Sequence, residues 1–222
     1  MYTNLYLNYR EEDAKEGFYF WWAEFMGGAL AAVAHAFDTR FTSVSIASDY
    51  DIPTQRPHGS HPLVDSNYSS TNLRIRHEGI TLSRFQKTEL IADWGISLNN
   101  LRVCNRYKHY KSGALNCGKC EKCVRTMLAL VARDVLHRTT AFPEVDVSEE
   151  LVRSAVKLNP KTFPLYAELI GPLRDRGRHD LVQAIEGRLR NHYRSERIKK
   201  LKTLEQRYFR SNLAKVKRIF TR

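Results

Sequence analysis

Four cysteines are the residues of this chain best suited to chemistry: Cys104, and then Cys117, Cys120 and Cys123 in the run CGKCEKC. They are the only cysteines present, and the spacing C-x12-C-x2-C-x2-C predicts one closed tetrathiolate metal site. Four soft sulfurs suit a tetrahedral d10 cation, so the expected ion is Zn2+. With all four positions filled by protein, no site remains for a catalytic water, and the expected role is structural. Two disulfides are the competing reading. Cysteines three residues apart are poor partners for independent bridges, and no secretory leader is evident in the sequence. A zinc tetrathiolate has formal charge −2, which Arg102, Arg106, Lys119, Lys122 and Arg125, interspersed with the ligands, can offset. The run EKCVRTMLALVARDVL reads as a helix, so the last two ligands are expected at a helix N-terminus, where the dipole favours thiolate.

Other polar groups are weaker candidates. The loop HGSHP brings His58, Ser60 and His61 together after Asp49, Tyr50 and Asp51. Two histidines three apart can bind metal, but hydrogen bonding, substrate contact or a plain surface loop explain them equally. Ser83, Arg84, Lys87 and Glu89 sit at a helix start, where backbone N–H groups and cations can receive phosphate or carboxylate, although a solvated helix face has the same composition. The run GALNCGKC from Gly113 to Cys120 approximates the phosphate-loop pattern but has cysteine in place of Ser or Thr, with no strand directly before it.

The elements that must position these groups follow from periodicity. Asn4 to Asn8 reads as a strand, and Gly17 to Phe37 as a helix with an apolar stripe. Gly27 and Gly28 interrupt that stripe, which suggests close packing against a sheet. TSVSIAS (Thr42 to Ser48) reads as a buried strand, Asp49 to Thr71 as a long loop, and Leu73 to His77 as a strand. Ser83 to Asp93 follows as a capped helix and Leu98 to Val103 as a strand feeding Cys104. The order β-α-β-β-α-β-(metal)-α predicts an α/β class with a mainly parallel sheet, and ligands at the carboxyl ends of its strands. Beyond Pro143 only helices are expected: Ser148 to Lys157, Pro164 to Arg174, His179 to Lys199 and Leu201 to Phe220. The expected organisation is an α/β domain over residues 1–143 and a basic all-α extension over 144–222.

Taken together, TSVSIASDY, HGSHPLVD, LRIRHEG, SRFQKTELI and LRVC followed by NCGKCEKCVRTM resemble the C-terminal half of the PP-loop adenine-nucleotide α-hydrolase superfamily, especially proteins similar to 7-cyano-7-deazaguanine synthase. The resemblance spans about Asn4 to Pro143. It implies a partial HUP-like parallel sheet with helices on both faces, a structural zinc knuckle, and Lys87 and Glu89 at the helix preceding it. It also implies ATP- and Mg2+-dependent adenylation of a small molecule or base, with Asp49, His58, Ser60, His61, Ser83, Arg84, Lys87 and Arg125 near substrate or nucleotide. The glycine-rich SGGxDS loop that grips pyrophosphate in that superfamily is absent from this sequence. The expectations are therefore an SGGxDS-bearing partner subunit or self-association, a truncation, or lost ATP chemistry.

The net charge of +12 is concentrated late in the chain. From Glu186 to Arg222 thirteen Lys or Arg stand against three Glu, a net of +10. Such a segment can meet nucleic acid, anionic lipid or another acidic partner, or it can be a solvated face. With no apolar run of the ~20 residues that crosses a bilayer, the expected setting is a reducing cytoplasm.

Overall fold

In the computed structural model, residues 20–104 and 113–209 are described, with side chains to residue 206. The expected strand at Asn4–Asn8, Arg106, and the helix beyond residue 209 lie outside the described residues. The chain is mixed α/β and divides into two units, Met1–Lys87 and Thr88–Arg222. The 143/144 boundary expected from the change to an all-helical pattern lies inside the second unit, where the helix that carries Cys123 packs with the helices that follow. No helix among the described residues is long and apolar enough to cross a membrane.

In the first unit, a π-helical turn, Trp21–Phe25, runs into α1, Met26–His35. Strands β1, Ser43–Ala47, and β2, Arg74–Glu78, pair in parallel, with Val44 opposite Ile75 and Ile46 opposite His77. Alternation buries one face: Ala31 and Ala34 of α1 pack with Ile46, Leu73 and Ile75, flanked by Val44 and Tyr68. The long loop is not structureless. It holds a 3-10 turn at Ile52–Thr54, the short helix α2, Pro62–Asp65, and another 3-10 turn at Ser66–Tyr68.

The π-turn has a local cause. Gly59 N donates to the Trp22 carbonyl at 2.9 Å, and Gly27 N donates to the Gly59 carbonyl at 2.6 Å, so the loop is stitched into the helix ladder. A Cβ on Gly27 would lie 2.5 Å from Asp65 Oδ1 and 2.5 Å from Gly59 O. Gly27 is thus required by the loop, not by the sheet. At Gly28 a Cβ would meet only Tyr68, at 3.5 Å or more.

Helix α3, Arg84–Ala92, crosses the division between the units. In the second unit, α4, Gly95–Asn99, takes the first part of the strand expected over Leu98 to Val103, and Leu101–Cys104 forms no regular element with the described residues. Several polar groups of this stretch go to side chains: Thr139 Oγ1 donates to the Leu98 carbonyl at 2.6 Å, and Asn116 takes three of the backbone groups of 101–104 as described below. Helix α5, Glu121–Ala132, buries Val124, Met127, Leu128 and Val131 at helical spacing. It stops at Asp134, whose φ of 57° lets Val135 N return to the Leu130 carbonyl at 2.9 Å.

Helix α6, Glu149–Ala155, is capped by Ser148, whose Oγ accepts from Leu151 N at 3.2 Å. The single helix expected from Pro164 to Arg174 is two, α7, Phe163–Ala167, and α8, Ile170–Asp175. The two helices expected from His179 and from Leu201 are one continuous helix, α9, His179–Phe209. No helix-breaking residue lies between Lys199 and Leu201, so nothing interrupts the ladder there. Helices α5, α6, α8 and α9 bury Leu130, Val152, Leu173, Leu181 and Ile185.

Candidate metal centre

The cysteine cluster begins at the Leu101–Cys104 segment. Asn116, fully buried, accepts at Oδ1 from Val103 N at 2.9 Å and from Cys104 N at 3.2 Å. Its Nδ2 donates to the carbonyls of Leu101 at 2.7 Å and Ala141 at 2.9 Å. One side chain therefore fills four hydrogen bonds and ties the strand-like segment to the turn that starts at Cys117. Gly118 follows with φ of 70°, a left-handed conformation that favours glycine. A Cβ there would run into the Glu144 carboxylate and come within 2.8 Å of Pro143 Cγ. Cys120 is then the N-cap of α5, and Cys123 lies in its first turn.

These devices converge four free thiols. The Sγ separations are 3.5 Å for Cys104–Cys117, 3.6 Å for Cys104–Cys120, 3.7 Å for Cys117–Cys123 and 3.4 Å for Cys120–Cys123. All four ligand atoms lie within 4.8 Å of one another. A tetrahedral ion with metal–sulfur bonds of about 2.3 Å has sulfur–sulfur edges of about 3.8 Å. Four of the six edges lie within 0.4 Å of that value and the remaining two are no longer than 4.8 Å, so the cluster can hold a metal ion such as zinc. Cys104, Cys117 and Cys123 are buried and Cys120 is partly so. Burial raises the Cys120 and Cys123 thiols above their ordinary 9.0, and the neighbouring sulfurs push Cys123 higher. Deprotonating them demands a compensating cation in the cluster.

The surroundings brace the ligands. Glu121, next to Cys120, accepts at Oε1 from Arg125 at 3.0 Å and from the buried Tyr166 hydroxyl at 3.1 Å. Burial, and then the Glu121 charge, push the Tyr166 phenol up, so it stays a donor. Lys119 and Lys122 are exposed.

The other candidates fall into four places. Asp49, His58, Arg84 and Lys87 come together beyond the carboxyl end of β1. Arg84 donates to the Asp49 carbonyl at 3.0 Å, Lys87 Nζ to the Ser48 carbonyl at 2.9 Å, and His58 Nε2 lies 3.5 Å from Asp49 Oδ2. Burial, then the Arg84 charge, hold the Lys87 ammonium below its usual 10.5, against Asp49 and Asp51. Ser60 and His61 instead serve Asp65, a wholly buried carboxylate. Ser60 Oγ donates to Oδ2 at 2.6 Å, His61 N donates to Oδ1 at 3.1 Å, and His77 Nδ1 lies 2.7 Å from Oδ2. Ser83 is the start of α3, with a reciprocal pair to Gln86: Gln86 N to Ser83 Oγ at 3.2 Å and Ser83 N to Gln86 Oε1 at 2.9 Å. Arg125 belongs to the brace of the metal centre in the second unit.

Sequence reasoning missed Asn116, Tyr166, Asp65 and His77. Asn116 directly precedes a ligand in a polar loop, which is the one signal that could have marked it. No family model, no curated protein and no solved structure matches the chain.

Proposed function

We propose that the chain is a zinc-stabilised, PP-loop-type α/β domain that receives an anionic small molecule, a nucleotide or modified base, beyond the carboxyl ends of β1 and β2. The observation that carries this reading is the meeting of Asp49, His58, Arg84 and Lys87 at the end of a parallel strand. Parallel sheets bind ligands at that edge. Two cations there, one with its charge disfavoured by burial, gain from an incoming phosphate or carboxylate.

In this reading the tetrathiolate holds Zn2+ by Cys104, Cys117, Cys120 and Cys123, and the ion acts structurally. ATP with Mg2+ would supply the adenylyl group: a substrate oxygen bonds to the α-phosphorus as the bond to the pyrophosphate oxygen breaks. A nitrogen or sulfur nucleophile then displaces AMP. Arg84 and Lys87 orient the anion and offset its charge, and Asp49 and His58 hold polar groups of the substrate. An SGGxDS-bearing polypeptide completes the pyrophosphate grip.

Isothermal titration with a nonhydrolysable ATP analogue, with and without an SGGxDS-bearing polypeptide, tests this. Binding in the presence of that polypeptide, weakened at least tenfold by Arg84→Ala and Lys87→Ala, is expected. Absence of binding in both cases rejects the reading.

A further inference from the structure

Helix α9 changes character at Leu189. Among the described side chains of the helix that residue is the last to be buried, and every residue from Arg197 to Leu204 is exposed. The part from Arg190 to Gln206 is about 25 Å long at 1.5 Å per residue. Helices of such length are marginal in water without packing, so this one gains from a surface to lie against.

Its charges surround it. Six cations, Arg190, Arg194, Arg197, Lys199, Lys200 and Lys202, stand against Glu196 and Glu205. At 3.6 residues per turn they leave no arc wider than about 100° without a cation. Glu196 is engaged by Lys199 at 2.9 Å. Between the arginines stand exposed apolar side chains, Tyr193, Ile198, Leu201 and Leu204. A membrane surface or a single acidic helix meets only one side of a rod, and either asks for cations and apolar groups on separate faces. A groove with phosphates along both walls meets the floor-facing side and both flanks, and leaves only the outward arc, here the cation-free arc opposite Ile198 and Leu201, to solvent.

We propose that the projecting half of α9 is a duplex-DNA-binding element that lies in the major groove. The B-form major groove is about 12 Å wide and admits a helix, whereas the A-form groove of duplex RNA is too narrow. Arg190, Arg194, Arg197, Lys199, Lys200 and Lys202 reach the phosphates of the two walls. Ile198 and Leu201 face base edges, where thymine methyl groups offer apolar contact. Recognition is dominated by the backbone and weak in sequence preference.

The test is fluorescence anisotropy of a labelled mixed-sequence DNA duplex titrated with the full zinc-loaded chain, without nucleotide, from 50 to 200 mM salt. About five phosphates neutralised give a slope of about −4.5 in log affinity against log salt, a loss of about 500-fold over that range. The triple variant R194Q/R197Q/K200Q, all at exposed positions, reduces the slope to about −2, with helix content by circular dichroism unchanged. The proposal is overturned if the triple variant binds as the wild type does. It is equally overturned if an RNA duplex of the same length binds as tightly, or if only anionic vesicles or an acidic helical peptide retain the chain. None of these outcomes depends on the nucleotide site of the first unit.

Discussion

The side chain of Asn116 accepts the amide hydrogen of Cys104 at 3.2 Å, so the first sulfur of the cluster is positioned by the residue that immediately precedes the second. The same oxygen holds Val103, and the amide nitrogen reaches back to Leu101. Ligands thirteen residues apart in sequence are thereby fixed to one another by a buried group with no charge.

Asn116→Ala removes the acceptor of two amides and the donor to Leu101 in a buried place. Each such loss costs about 1–3 kcal/mol, so the variant is expected to lose about 3 kcal/mol or more of stability. Metal affinity is expected to fall by about 10- to 100-fold, as for other groups that orient ligands. Competition with a chromophoric chelator measures this. Unchanged affinity would show that Asn116 only fills space.

The two adjacent glycines of α1 separate cleanly. Gly27→Ala is expected to destabilise by about 1–3 kcal/mol, because its Cβ meets the Gly59 carbonyl and Asp65, and backbone cannot step aside. Gly28→Ala meets only Tyr68 at ordinary contact distance and is expected to stabilise by up to about 1 kcal/mol through helix propensity. Urea denaturation of both variants followed by tryptophan fluorescence reads the opposite signs. Equal effects would deny the stitch between loop and helix.

Lys87 gives stability a definite pH dependence. Its folded value is depressed below 10.5, so between the folded value and 10.5 the unfolded chain binds a proton that the folded chain has lost. Stability from this group therefore rises with pH across that window and is lowest where both states are protonated. Against Lys87→Met, which cannot titrate, the wild type is expected to gain relative stability between neutral pH and pH 10.5. Parallel stability curves for the two proteins would contradict this.

The parts of the architecture legible in the sequence are those with a local signature. Four cysteines at fixed spacing need no tertiary knowledge to be grouped, and Ser148 and Cys120 mark helix starts by position alone. TSVSIAS and LRIRH alternate as strands do, and they pair in parallel. The misreadings have physical sources. Leu98 to Val103 has a strand's composition, but Leu98 and Asn99 end α4, and the Leu98 and Leu101 carbonyls and the Val103 amide are taken by Thr139 and Asn116, partners that no periodicity reveals. Asp65 and His77 lie twelve residues apart and meet only because α2 packs on β2. Helix α9 runs on through Lys200, where the sequence pattern expects two helices, because no glycine or proline breaks the ladder there.

The central claim is that one tetrahedral ion joins Cys104 to the turn and helix of Cys117, Cys120 and Cys123. Its most direct measurement is elemental analysis of the reduced protein, with absorption spectroscopy after Co2+ substitution. The expected result is one zinc per chain, intense sulfur-to-cobalt charge-transfer bands with tetrahedral d–d bands, and loss of both in Cys117→Ser. Substoichiometric metal in the wild type, or a cobalt spectrum of octahedral oxygen ligation, would contradict it.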